Sequence, residues 1–416
     1  MSGSGRGLPD ERGYVEWFTE RIAERARREV REDMPLIECG LDSVALLGLY
    51  GDAETAFGPL PDHPVEVWPY STIRGLARRL AVRDGRADRR AGIRTAFVFS
   101  GQGCQHPRMT AGLYRHCTAY RQHLGEADEA LAPHLGRSVV ELLTEERPEV
   151  HETALAQPAL FAVEYALATT LLEEGVRPVA VAGHGVGEFA AATVAGALPL
   201  AAAAGLVAAR GTLMQRMPAG GGMMATCADP YEAAEAATAE PGVSIGALNA
   251  ARATVLTGDL AGLERARRRL ADIGIASTFL QVRHAFHSPL MEPVAPLFEE
   301  LARRAPAGEA ALPYYSTVHG RRYDAPLDAA YWARQITSPV RFTDAVRALL
   351  TEQSPTHVVE IAPKAVLTPF LRRMGGPRGP ACLAVCRSPR TNAVDLAGVL
   401  SALDAGPLSD DPDAPE

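Results

Sequence analysis

Pro178-Val179-Ala180-Val181-Ala182-Gly183-His184-Gly185-Val186-Gly187-Glu188 is a short apolar run that enters a turn with glycine at every second position. A run of that length bounded by glycine reads as a buried strand, and the residues beyond it resume a helical pattern. Arg94-Thr95-Ala96-Phe97-Val98-Phe99 repeats the design and ends in Gly101-Gln102-Gly103. Strand, turn and helix in alternation build a parallel sheet covered by helices.

The stretch from about Met217 to Val282 breaks this rhythm. It reads as strand Met223–Cys227, helix Pro230–Thr238, strand Val243–Leu248, strand Ala253–Thr257, helix Leu260–Ile273 and strand Thr278–Val282. That order is the ferredoxin-like motif. It fits a smaller subdomain, about 217–282, inserted in the larger one, with the cleft between them as the default site.

Upstream the pattern is all helical. Val15, Phe18 and Ile22 share one helix face. A second stripe is read through Val44, Leu47, Ala56 and Phe57, and a third through Ile73, Leu76 and Leu80 after the turn Pro69-Tyr70-Ser71-Thr72. This is a small helical bundle over residues 12–83. Residues 1–11 are Gly/Ser-rich and 406–416 acidic and Pro-rich, and both are expected to be disordered. Residues 84–93 read as a linker, leaving 94–405 as the α/β domain.

The chain has 416 residues, enough for two to three domains. A formal charge of -8 argues against a nucleic-acid partner. Lys364 is the only lysine. Six scattered cysteines without a CxxC pair indicate a reducing, cytoplasmic setting rather than a disulfide scaffold. No signal core opens the chain, and no run reaches the ~18 uninterrupted apolar residues of a membrane span. The nearest, Ala190 to Ala209, is interrupted by Gly196, Pro199 and Gly205 and reads as a buried helix pair.

Gly40-Leu41-Asp42-Ser43-Val44 lies where a loop becomes a helix. On the residues alone, Asp42 or Ser43 as a helix cap is the leading reading. The longer stretch reverses it. Asp33 to Gly58, with GLDS at its centre, followed by Trp68-Pro69-Tyr70-Ser71-Thr72-Ile73, resembles a type I polyketide-synthase acyl carrier protein. The resemblance implies 4′-phosphopantetheine on Ser43, installed by a phosphopantetheinyl transferase. The acids Glu38, Asp42, Asp52 and Glu54 would then offer a face to a basic enzyme.

Gly183 to Glu188 has the outline of a G-x-S-x-G elbow, which sets a nucleophile on a sharp strand-to-helix turn beside backbone N–H donors. Its central residue here is Gly185. Read alone, this is a glycine-rich turn that could hold an anion. Glu188 stands where a dinucleotide fingerprint needs glycine. His284 and His287, in Arg283-His284-Ala285-Phe286-His287-Ser288, lack a third ligand at a familiar metal spacing, so no metal is expected and a general base is the better reading.

Six blocks in order resemble malonyl-CoA:acyl carrier protein acyltransferases of the polyketide-synthase type, from about Arg94 to about Leu403. They are Phe97 to Gln105, Thr153 to Phe161 (T-x-x-x-QPALF), Arg210 to Gln215 (RG-x-LMQ), His284 to His287 (HAFH), Trp332 to Val340 and Glu360 to Leu367. The resemblance implies an α/β-hydrolase-like large subdomain and assigns roles. His287 would be the general base, oriented by Gln335 through its backbone carbonyl. Arg210 would pair with a malonyl carboxylate, as an arginine fork does. The N–H groups of Gln102 and Val186 would form the oxyanion hole. Gln157, His284 and Phe286 would line the acyl site. HAFH and an apolar Val186 resemble members that choose malonyl over methylmalonyl groups.

Gly185 departs from the family, whose serine there forms the acyl-enzyme. Three readings stand: an inactivated form that traps a complex, a pseudo-transferase that binds and docks, or an enzyme in which His287 activates an incoming thiol, amine or water. The expectation is a carrier–acyltransferase didomain of polyketide (antibiotic-type) biosynthesis. It would handle malonyl-CoA or carrier thioesters and work with other synthase enzymes, without a membrane or nucleic acid.

Overall fold

The computed structural model describes residues 11–26, 30–32, 36–39, 41, 43–57, 73, 76–77, 80, 92–387, 393–403 and 405. Of the ends expected to be disordered, 1–10 and 406–416 fall outside these residues, as do most of the 84–93 linker, the 69–72 turn and Asp42, whereas Glu11, counted in the 1–11 end, opens a helix. The chain separates into two compact units, Met1–Gly92 and Ile93–Glu416.

In the first unit, helix Glu11–Ala26 buries Tyr14, Val15, Phe18 and Ile22, the spacing of one helix face. Helix Ser43–Phe57 begins at Ser43. It buries Leu46, Leu49 and Ala53, whereas Leu47 and Ala56 are exposed. The stripe read through Val44, Leu47, Ala56 and Phe57 is therefore corrected at Leu47 and Ala56, while the Val44 side chain lies outside the described residues. Leucines at 46, 47 and 49 permit two rotations of the helix, and the deeper face wins by meeting Ile73, Leu76, Ala77 and Leu80 in one core. Phe57 closes that core edge-on against Tyr14 and Trp17, with ring centroids 4.8 Å from each. Asp52 pairs with Arg25 at 2.5 Å and with Arg21 at 3.7 Å, so it is already neutralised within its own unit.

The second unit contains strands β1 (Thr95–Phe99), β2 (Pro178–Gly183), β3 (Gly221–Thr226), β4 (Val243–Ala250), β5 (Ala253–Asp259), β6 (Ser277–Phe279), β7 (Tyr314–Ser316), β8 (Arg321–Arg322), β9 (His357–Ile361) and β10 (Ala381–Ala384). Six of them form one sheet in the order β10-β9-β1-β2-β7-β8. The first five run parallel, and β8 returns antiparallel to β7. The sheet is mixed rather than wholly parallel. A tight reversal, with the Gly320 N–H donating to the Ser316 carbonyl at 2.8 Å, lets the chain double back without a crossover helix. Every residue of β1 is buried, as a central parallel strand covered on both faces requires.

The other four strands form a sheet in the order β4-β5-β3-β6, antiparallel throughout. Helices Pro230–Thr238 and Leu260–Asp272 pack on it over Leu256, Leu263 and Leu270. Pro230–Thr238 starts with a capping box between Asp229 and Glu232, with Pro230 in the first turn. The Leu248 N–H donates to the Val340 carbonyl at 2.8 Å, and the Val340 N–H to the Gly246 carbonyl at 2.9 Å. These bonds tie β4 to the chain leaving helix Ala329–Thr337, which packs with the larger sheet.

The alanine-rich stretch from Ala190 to Ala209 falls into helices Gly187–Val194 and Leu200–Gln215. Helix Thr153–Glu173 is long and apolar enough to cross a bilayer, but most of it is buried within the fold.

Candidate active site

Strands β1, β2 and β9 end level, with Phe99 opposite both Gly183 and Ile361. Ligands of open α/β sheets bind beyond such carboxyl ends. The loops leaving these strands line a cavity of about 540 Å³ that also reaches β4, β5 and the chain after β6. Glu360, fully buried on β9, anchors two of these loops. It accepts from the Ser100 hydroxyl at 2.9 Å and from the N–H groups of Val366, Leu367 and Thr368 at 2.7 Å each.

Between β2 and helix Gly187–Val194 the backbone must reverse sharply. Gly185 takes φ +55, in the left-handed region. Gly187 touches the preceding loop so closely that a Cβ there would overlap the Ser100 carbonyl oxygen. A Cβ on Gly185 would instead meet the imidazole of His287, 3.3 Å from Nε2 and 3.9 Å from Cε1, a tight contact with a side chain rather than with backbone.

His287 is itself held in the left-handed region, at φ +58. The segment carrying it is pinned by Thr257 Oγ1 donating to the Phe286 carbonyl at 2.8 Å and by Ser288 Oγ donating to the Ala285 carbonyl at 2.6 Å. Nδ1 of His287 lies 3.1 Å from the Ser338 carbonyl, which selects the tautomer with its proton on Nδ1 and leaves Nε2 as an acceptor. Burial drives the imidazole pKa down to about 3, and the charge of Arg210 adds to the effect. His287 is therefore neutral at physiological pH.

Arg210, on helix Leu200–Gln215, is 2% exposed. Its Nε donates to Gln335 Oε1 at 3.1 Å and its Nη1 to Gln157 Oε1 at 2.8 Å. Among the described residues no carboxylate lies within ion-pair distance of it, and Nη2 has no partner. Burial lowers its pKa to about 10. The charge of buried Glu188 acts on it only from a distance, so a buried guanidinium without a direct ion pair faces the cavity, where an anion would relieve the cost of its burial.

Gln335 also donates from Nε2 to the Gly185 carbonyl at 2.5 Å, bridging the turn to Arg210. Its backbone carbonyl acts on His287 as expected, the Ser338 carbonyl is a further partner of that imidazole, and the Gln335 side chain serves Arg210. Glu188 is fully buried beneath the turn. Its Oε1 accepts from the Thr317 N–H at 2.7 Å, the Thr317 hydroxyl at 3.0 Å and the Tyr331 hydroxyl at 3.1 Å. Burial raises its pKa to about 7 against those bonds.

The cavity brings together Gln102, Gln157, Gly185, Val186, Arg210, Phe286 and His287. Among the described residues, neither the Gln102 nor the Val186 N–H finds an acceptor. His284 does not line the cavity. Its Nε2 lies 3.1 Å from the Met217 carbonyl, and its ring stacks on Phe286 at 5.9 Å, so it backs the lining residue. Ser43 belongs to the other unit.

Sequence reasoning overlooked Ser338, Asn249 and Glu360 as anchors. Asn249 Oδ1 lies 2.8 Å from Nε2 of His184 and so fixes the turn from the second sheet. Lys364, the one lysine of the sequence, is exposed and lines the cavity. Cys104 also lines it, but its thiol donates to the Gly101 carbonyl at 3.2 Å, and burial pushes its pKa well up. It is therefore no replacement nucleophile.

An acyl transferase domain family model matches residues 96–385. Polyketide synthase GfsB of Streptomyces halstedii is 39% identical over 302 residues, which are 72% of this chain and 5% of that protein. The chain thus spans a small fraction of that relative's length. The acyltransferase domain from the second module of the salinomycin polyketide synthase aligns with a TM-score of 0.70 at 37% identity, over 77% of this chain and 75% of that one. A malonyl-transacylase solved in complex with a holo type II acyl-carrier protein aligns with a TM-score of 0.67 at 28% identity, over 74% of this chain and 99% of that one.

Proposed function

The chain belongs to the acyl transferase domain family, in its polyketide-synthase branch, and from that premise we propose that residues 94–405 bind malonyl-type thioesters without forming an acyl-enzyme. The observation that carries this reading is Arg210, a buried guanidinium aimed into the cavity with no carboxylate of the protein beside it. An acyl group with a free carboxylate supplies the missing counter-charge. An acetyl group does not.

In this proposal Gly185 stands where the family carries its nucleophilic serine. The thioester carbonyl would lie between His287 and the free N–H groups of Gln102 and Val186. Those donors stabilise negative charge on the carbonyl oxygen. Phe286 and Val186 narrow the acyl site, in keeping with malonyl over bulkier extender groups. Residues 12–83 would act as a carrier domain, with 4′-phosphopantetheine on Ser43. Other synthase enzymes would exchange acyl groups with that arm, and a phosphopantetheinyl transferase would install it.

Calorimetry of the full chain with malonyl-CoA and acetyl-CoA tests the reading. Tighter binding of malonyl-CoA, lost in Arg210→Ala, is expected. Equal affinity for the two thioesters in the unmodified chain contradicts it.

A further inference from the structure

We infer that the space beside Gly185 is a water site, and that this chain hydrolyses malonyl-type thioesters directly. The inference rests on the malonyl-binding reading above and adds an activity to it.

Three features of the cavity converge on that space. A Cβ placed on Gly185 would stand 3.3 Å from Nε2 of His287, so that nitrogen faces the bare glycine across the cavity both residues line, and a water beside the turn can reach it. The Ser338 carbonyl holds the Nδ1 proton, so Nε2 presents a lone pair to whatever fills the opening. The unpaired N–H groups of Gln102 and Val186 border the same cavity, ready for an oxyanion.

Size decides between water and a second thiol as the attacking group. A cavity of about 540 Å³ takes one ligand of drug-like size. An acyl-pantetheine arm is such a ligand, and a second arm would need comparable room. A water needs only about 30 Å³ and a few polar partners. The Cys104 thiol, which also lines the cavity, does not compete for the task, since it is turned to the Gly101 carbonyl.

The step balances without a co-reactant. With the malonyl carboxylate against Arg210 cancelling one of the charges that weaken the imidazole as a base, the water oxygen attacks the thioester carbonyl carbon as Nε2 of His287 takes one water proton. The tetrahedral oxyanion is held by the two N–H groups. Its collapse breaks the carbon–sulfur bond, and the proton on His287 passes to the departing thiolate. One water is consumed, malonate and a free thiol leave, and His287 returns to its neutral state.

The test uses the full chain, unmodified on Ser43, with malonyl-CoA and no added thiol. Thiol release is followed with a chromogenic reagent, and the reaction in H₂¹⁸O by mass spectrometry of malonate. The expected result is catalytic thiol release, one ¹⁸O in each malonate, and at least a tenfold slower rate in His287→Ala. Gly185→Ala, which puts a methyl into the opening, is expected to slow release by a similar factor while malonyl-CoA still binds. Binding of malonyl-CoA with no thiol release above buffer overturns the hydrolysis and leaves the binding reading intact. So does release that needs an added acceptor thiol, or an unchanged rate in His287→Ala. Failure of malonyl-CoA to bind at all refutes the reading underneath.

Discussion

Arg210→Ala is the perturbation whose magnitude the site lets one work out. Arg210 is 2% exposed, so the solvent screening that weakens surface pairs does not apply here. Two of its donors are already used, by Gln157 and Gln335, leaving Nη2 for a ligand carboxylate. A hydrogen bond to a charged group contributes about 1.5–3 kcal/mol, which is roughly a tenfold to hundredfold preference for malonyl over acetyl thioesters. The alanine variant should bind both with the weaker affinity. Stability pulls in two directions. Gln157 Oε1 and Gln335 Oε1 lose their donor, at about 1–3 kcal/mol each if no water enters. Removing a buried charge that has no direct ion pair offsets part of that loss. The assay is titration calorimetry with both thioesters, with thermal unfolding followed by circular dichroism on the same samples. A folded Arg210→Ala protein that still prefers malonyl-CoA by tenfold would refute the assignment of Arg210 to the carboxylate.

Three further outcomes are expected. Treatment with a phosphopantetheinyl transferase and CoA should add one pantetheine arm, mapped to Ser43 by peptide mass spectrometry, and Ser43→Ala should stay unmodified. Malonate binding should raise the pKa of His287 from about 3, because a carboxylate beside Arg210 cancels one of the charges that depress it; a histidine NMR titration with and without malonate reads this, and an unchanged value would place the carboxylate elsewhere. Glu188, with a folded pKa of about 7 against an ordinary value of 4.5, binds more protons folded than unfolded. Its contribution to stability is therefore full below about pH 4.5 and fades as the pH rises through 7. Melting temperatures across that window should fall more steeply with pH in the unmodified chain than in Glu188→Gln.

The sequence was most legible where the cause of structure is local. The ends of β1 and β2 follow from short apolar runs closed by glycine, and helix Pro230–Thr238 from Asp229, Pro230 and Glu232 acting within one turn. Arg210, Gln157 and Gln102 were identified through family motifs, and they do line one cavity. What escaped depends on partners far along the chain. Ser338 reaches His287 across 51 positions, Asn249 reaches His184 across 65, and Glu360 reaches Ser100 across 260. No local pattern marks such pairings. His284 shows a different limit. It shares a four-residue motif with His287, and only the backbone turn between them decides that one faces the cavity and the other the Met217 carbonyl. The antiparallel β8 was missed because two residues carry no periodicity.

The central claim is that the missing side chain at position 185 is all that separates this domain from covalent acyl transfer. Intact-mass spectrometry of Gly185→Ser incubated with malonyl-CoA tests it most directly. A serine there must accept φ +55, at a cost of about 1–3 kcal/mol in stability, and its hydroxyl would extend toward Nε2 of His287. The account predicts a mass gain of one malonyl group on residues 94–405 of Gly185→Ser, absent from the unmodified chain and from Gly185→Ser/His287→Ala. A folded Gly185→Ser protein that binds malonyl-CoA yet never gains that mass, or an unmodified chain that already carries it, would contradict the account.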